Sequence, residues 1–296
     1  MSQHRFHRPS STLLSRLRRV ACLWVCGLWL PLAAVAQDVH YDWQSVRIGG
    51  GGYVSGLVFH PAEKGLYYAR TDVGGAYRWD DAAKKWLPLT DWLGADDANL
   101  TGIESMAVDP RDSGWIYLAA GTYTTEAAGN GAILRSHDRG ATFQRVDLPF
   151  KLGGNELARG NGERLAVDPH DGRILFFGSR DAGLWRSDDH AAHLVRVDAF
   201  PTVATSFAST AKNQWRRQPI GIVFVVFEPA SGKSSEPTPV LYAGVSTRET
   251  SLFRSTDGGK SWQAVPGQPT GSRPTHMRRS PDGSYYLTYG DEPGPD

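Results

Sequence analysis

Apolar residues along this chain come in short runs broken by glycine and proline, with no stripe of helical period. A run that closes on a proline turn recurs as Leu57-Val58-Phe59-His60-Pro61, Met106-Ala107-Val108-Asp109-Pro110, Leu165-Ala166-Val167-Asp168-Pro169 and Ile222 to Pro229, with a weaker Ser280-Pro281-Asp282-Gly283. The prolines are 49, 59, 60 and 52 residues apart. After each comes a second aromatic or aliphatic run, such as Trp115-Ile116-Tyr117-Leu118, Ile174-Leu175-Phe176-Phe177 or Val240-Leu241-Tyr242-Ala243. A third run ends on Arg-Ser, as in Leu134-Arg135-Ser136, Trp185-Arg186-Ser187 and Phe253-Arg254-Ser255, and a fourth closes the unit, as in Phe143-Gln144-Arg145-Val146. Four strands in a repeat of roughly 50 residues predict a β-propeller blade. The fold class expected is all-β: an incomplete propeller over residues 37–296, built of about five blade-like units of which the last is partial.

The turn between third and fourth strands has its own signature. Ser255-Thr256-Asp257-Gly258-Gly259-Lys260-Ser261-Trp262 fits Ser-x-Asp-x-Gly-x-x-Trp, the Asp-box, and Ser136 to Phe143 fits with Phe in place of Trp. The aspartate accepts hydrogen bonds from turn N–H groups, the glycine takes a dihedral other residues resist, and the ring packs beneath. In Ser187-Asp188-Asp189-His190-Ala191, alanine replaces that glycine and Leu194 the aromatic, so a looser or differently shaped hairpin is expected there.

Composition agrees with many short strands: 33 glycines, 18 prolines and 10 tryptophans. Residues 1–36 read as a signal peptide, with Arg16, Arg18 and Arg19 before an apolar run of 11 residues, Val20 to Leu30, and Ala34-Val35-Ala36 before Gln37. Both cysteines, Cys22 and Cys26, fall inside that run, so the processed chain has none, and a secreted location, extracellular or periplasmic, is expected. The leader's five arginines leave 27 basic against 31 acidic residues, near −4, which disfavours nucleic acid and anionic membrane as partners.

Candidate chemistry begins at Arg70-Thr71-Asp72-Val73-Gly74-Gly75, where one carboxylate stands between an apolar run and a glycine turn. A strand end beside an open turn presents a side chain without burying its charge, so Asp72 is the candidate reactive group; the local pattern by itself also fits a turn cap. Gly49 to Gly52 reads as a flexible lead-in to the first blade. Gly259-Lys260-Ser261 lacks the earlier glycine of a phosphate loop, where Arg254 stands. In the processed chain His190 and His193 are the one close histidine pair and carry no carboxylate or cysteine pattern, so neither metal nor cofactor is expected.

Three longer stretches, Tyr68 to Trp79, Gly129 to Ser136 and Gly160 to Pro169, resemble glycoside hydrolase family 74, the xyloglucanases, as do Val265 to Gly271 and Tyr289 to Pro295. The resemblance runs from about Tyr41 to Asp296. It implies two facing seven-bladed propellers with a cleft between them, and inverting hydrolysis of the β-1,4-glucan backbone of xyloglucan or a related polysaccharide. One catalytic aspartate comes from each propeller, and Asp72 matches the general base of the first. An inverting pair stands roughly 6.5–9.5 Å apart to admit water, and its acid has a raised pKa.

The sequence departs from that pattern by stopping at Asp296, where the resemblance implies a second propeller carrying the acid. That missing half is the natural partner expected, and the chain without it is expected to hydrolyse little and to fold with an open edge. For substrate binding the candidates are Tyr123, by stacking, and Arg159, Glu163 and Arg180, by hydrogen bonds to sugar hydroxyls; a packed tyrosine and salt-bridged loops are the alternatives. Glu104 and Glu163 are the alternatives considered for a second carboxylate. A non-catalytic carbohydrate-binding propeller and an Asp-box scaffold for protein partners are the competing functions.

Overall fold

The computed structural model describes residues 47–201 and 219–290; the leader, with its cysteines, and the Asp291–Asp296 end lie outside the described residues. The described chain is a series of antiparallel meanders. The first is β1 (Val54–Phe59), β2 (Tyr67–Thr71), β3 (Ala76–Asp80) and β4 (Lys85–Pro88), and the second β5 (Ile103–Val108), β6 (Ile116–Ala120), β7 (Ala132–Ser136) and β8 (Gln144–Asp147). The third is β9 (Leu165–Val167), β10 (Leu175–Gly178), β11 (Leu184–Ser187) and β12 (Val195–Arg196), and the fourth β13 (Ile222–Phe227), β14 (Leu241–Val245), β15 (Leu252–Ser255) and β16 (Gln263–Ala264). β17 (Arg273–Arg279) and β18 (Tyr285–Gly290) pair as a two-stranded sheet.

The first strands β1, β5, β9, β13 and β17 lie each against the next, and the sheets pack face to face, the arrangement of propeller blades. Burial falls across each blade. β5 is buried at every position, while β8, β12 and β16 are mostly exposed. Between the first two blades the core holds Tyr68, Ile103, Met106, Ile116, Leu118 and Leu134. Between the third and fourth it holds Phe176, Phe227, Phe253 and Trp262. β1 differs from β5: Leu57 is 49% exposed and Phe59 63%, the Phe59 ring lying 5.2 Å from the Tyr67 ring of its own blade.

The Asp-Pro turns after the first strands are Asx turns that also tie blades together. Asp109 accepts from Arg111 N and Asp168 from His170 N, each at 2.8 Å. His60 Nε2 donates to the Asp109 carbonyl of the next blade at 2.9 Å, and His170 Nε2 to the Pro229 carbonyl at 2.7 Å.

The Asp-boxes close as their sequence requires, and the altered third one closes too. In each, the first serine hydroxyl donates to the aspartate and accepts from the N–H of the fifth residue: Gly140, Ala191 and Gly259. The aspartate's second oxygen takes a hydroxyl from Thr142 or Ser261, and in the third box it takes His193 Nδ1–H at 2.6 Å. The expected loosening is therefore corrected. His193 supplies the missing donor, and the backbone accepts positive φ at His190 (58°) and Ala191 (59°), where the other boxes have Arg139 (62°) and Gly140 (86°), or Gly258 and Gly259 (73° and 85°).

All three box aspartates are held down at about 2. Burial pushes Asp138 and Asp189 upward, but hydrogen bonds from the turn outweigh it; at Asp257 the Ser261 hydroxyl is the largest influence. Folded carboxyls below their unfolded value stabilise the fold above about pH 4, and that contribution disappears as pH falls through about 2. Circular dichroism melts between pH 5 and pH 2 should therefore show Tm falling across that window. A Tm unchanged down to pH 2 would show that the boxes bear no such weight.

Candidate active site at the end of strand two

In each blade the connections from second to third strand, and those leading into the first strand, lie on the side opposite the Asp-boxes, by the alternation of a meander. Asp72 follows β2 on that side. Its turn is closed by Thr71, whose hydroxyl donates to the Gly75 carbonyl at 2.9 Å and accepts from Gly74 N at 2.8 Å. Gly75 has φ of 82°, and a Cβ there would overlap the Thr90 side chain.

Asp72 is 6% exposed, which corrects the expectation of an openly presented charge. Its Oδ1 accepts from Tyr53 N at 2.7 Å, its own N–H donates to the Tyr53 carbonyl at 3.1 Å, and Oδ2 faces Arg159 Nε at 3.4 Å. Neutralisation by Arg159 and the Tyr53 amide is what makes a nearly covered carboxylate affordable. Arg159 also lies over the Tyr53 ring, 5.4 Å from its centroid. Two of the glycines before Tyr53, Gly50 and Gly52, approach neighbours closely, which corrects the reading of a flexible lead-in at those positions. A Cβ on Gly52 would stand 2.6 Å from Asp72 Oδ1, and one on Gly74 would overlap the Gly51 carbonyl.

Tyr123 follows β6 on the same side and is 42% exposed. Gly102 links it to Asp72: a Cβ there would meet the Asp72 carbonyl oxygen at 2.6 Å and Thr122 Cα at 2.7 Å. Tyr53, 49% exposed, borders the carboxylate through its backbone N–H, and the exposed Tyr123 lies one residue beyond Thr122 in the neighbouring blade. Tyr53, Asn155 and Glu156 were not among the sequence candidates. Only the position of Tyr53 immediately before a strand could have marked it, and the last two lie in a segment without periodicity.

Two other candidates are structural. Arg180 is fully buried, with Nε 2.5 Å from Glu104 Oε1 and Nη2 donating to the Gly153 carbonyl at 2.8 Å, so it is unavailable to a sugar. Glu163 receives Arg70 Nε at 3.0 Å on one oxygen, and Ser105 Oγ at 2.7 Å with Met106 N at 2.9 Å on the other. Glu104, 1% exposed, also pairs with Arg164 Nε at 3.2 Å. Burial opposes its charge, and Arg180 and Arg164 more than compensate, holding it below the usual carboxylate range. Neither glutamate supplies a second reactive carboxyl, since both are consumed in pairing arginines. Burial holds the Glu156 carboxyl above its ordinary range, against the pull of Arg180. Its oxygens take the Thr124 N–H and hydroxyl. Among the described residues, no cluster of three or more metal-ligating side chains occurs.

Comparison with solved structures fits this layout. A family 74 xyloglucanase from Xanthomonas campestris superimposes with a TM-score of 0.80 at 64% identity, over 87% of this chain and 36% of that one. The chain is a part-length homologue of the family 74 glycoside hydrolases. A family 74 enzyme from Niastella koreensis superimposes with a TM-score of 0.71 at 38% identity, over 84% of this chain and 35% of that one. A xyloglucanase from a Paenibacillus species is 46% identical over 287 residues, 92% of this chain and 28% of the relative. The chain spans about a third of the length of the curated relatives it matches. No family model matches it.

Proposed function

We propose that this chain supplies the base-bearing part of a xyloglucan-hydrolysing enzyme, exported by its leader, in which Asp72 activates water for inverting attack on the β-1,4-glucan backbone. The observation that carries this reading is a carboxylate at a strand end that accepts from the Tyr53 N–H on one oxygen and faces Arg159 with the other, beside the exposed Tyr53, in a family 74 fold. Water gives its proton to Asp72 as its oxygen bonds to the anomeric carbon. The departing sugar oxygen takes a proton from a carboxylic acid contributed from beyond the described residues. Tyr123 and Tyr53 offer ring faces for glucosyl C–H surfaces, and Arg159 keeps the base oriented. No helix of the described residues is long and apolar enough to cross a membrane, and the near-neutral charge suits an uncharged polymer.

The test is affinity electrophoresis in xyloglucan-containing gels together with a reducing-end assay on the same polymer. Retardation of the full chain supports the assignment, and free migration in xyloglucan removes it. Retardation without new reducing ends favours the binding-only reading. The pairing of Glu104 and Glu163 with buried arginines, which leaves neither free to act as acid, supports that second reading.

A further inference from the structure

The turn from Gly153 to Glu163 is gripped from below by two buried arginines. Arg180 donates to the carbonyls of Gly153 (2.8 Å) and Leu157 (3.0 Å), and Arg70 donates to that of Arg159 (2.9 Å). From this rigid base the turn reaches the residues around Tyr123 one after another. Asn155 N donates to the Thr122 carbonyl at 3.0 Å, Glu156 takes the Thr124 N–H and hydroxyl, and Asn155 Nδ2 donates to the Tyr123 phenol oxygen at 2.9 Å. Tyr123 is thus an exposed ring fixed at its backbone neighbours and at its tip. An exposed tyrosine tethered only through its backbone keeps its rotamer freedom and must lose it on binding.

We propose that Asn155 is a positioning residue for Tyr123, holding the ring in the orientation in which its face receives a glucosyl unit. The inference rests on the carbohydrate-binding reading of this face and adds what sets its affinity: ordering is completed in the free protein, so binding does not bear that cost. The clamp shares its turn with Arg159, which faces Asp72, so ring and carboxylate are referenced to one piece of backbone.

The experiment is calorimetric titration of the full chain with a xyloglucan oligosaccharide on a four-glucose backbone, beside Tyr123→Phe, Asn155→Ala, their double variant, Tyr123→Ala and Asn155→Asp. Tyr123→Phe keeps the ring and removes the clamp, as Asn155→Ala does from the other side. Each should weaken binding about two- to tenfold, the double variant no more than either alone, and Tyr123→Ala at least tenfold. Asn155→Asp accepts from the phenol hydroxyl and should restore affinity. Melting temperatures should stay level across the set, which separates positioning from loss of fold. Independent, multiplying losses in the double variant, or unchanged affinity in both single variants, overturn the positioning role while leaving the binding assignment intact. A parent chain that does not bind the oligosaccharide overturns both.

Discussion

Glu104→Ala is expected to lose about 3–5 kcal/mol of unfolding free energy, measured as a lower urea midpoint at unchanged slope. Glu104 accepts from Gly153 N at 3.1 Å and lies between Arg164 and Arg180, all three side chains essentially free of solvent contact. The pairing need not exceed, in net terms, what an apolar cluster of the same volume would give. Removing only the acid, however, strands two guanidinium groups in a medium that cannot solvate them. Burial already pushes Arg164 down to about 10, a sign of how poorly this site tolerates positive charge. Because folded domains are stable by only about 5–15 kcal/mol, such a loss takes a large share of the total. Replacing the whole set, Glu104→Leu with Arg164→Met and Arg180→Met, should cost less than the single acid deletion. A loss below about 1 kcal/mol in Glu104→Ala would show that solvent or rearranged partners reach the arginines.

The blade pattern was legible because the second and third repeats restate one solution, an Asx turn after the first strand and an Asp-box after the third, and the fourth keeps the box with Glu228 before its proline. His60, Asp109 and Asp168 stand at equivalent turns, and the structure gives each a hydrogen-bonding task its spacing implied. What sequence could not show is which charges pair across the fold. Arg70 meets Glu163 from 93 residues away and Arg180 meets Glu104 from 76, so polar residues near strand ends looked like sugar ligands when they are interior struts. The third Asp-box misled for a subtler reason. Its pattern was read for glycine and tryptophan, whereas closure depends on a donor at the seventh position, which an imidazole meets as well as a hydroxyl. The glycine run before Tyr53 misled in the opposite sense, since four glycines suggest slack, whereas Gly50 and Gly52 mark close approach to Tyr77 and Asp72.

In the enzyme completed by its acid-bearing part, Asp72→Asn should lower hydrolysis of xyloglucan by about 10²- to 10⁴-fold, because an amide cannot take the proton of the attacking water. Its carbonyl oxygen still accepts from Tyr53 N, so the turn and the fold should survive, with Tm nearly unchanged. Its amide nitrogen would face Arg159 Nε, donor against donor, where the carboxylate now stands 3.4 Å away. Gly52→Ala separates placement from chemistry. Its new methyl would press on Asp72 Oδ1, and φ of 89° is strained for alanine, so the carboxylate remains but moves. If Asp72 works as the base, Asp72→Asn should lower kcat and leave oligosaccharide affinity within about twofold, because the group acts on water, not on the resting sugar. Gly52→Ala should lower kcat by an intermediate factor and also lower Tm. Reducing-end production by Asp72→Asn equal to that of the parent chain would remove Asp72 from the mechanism, and a matched loss of affinity would recast it as a sugar ligand.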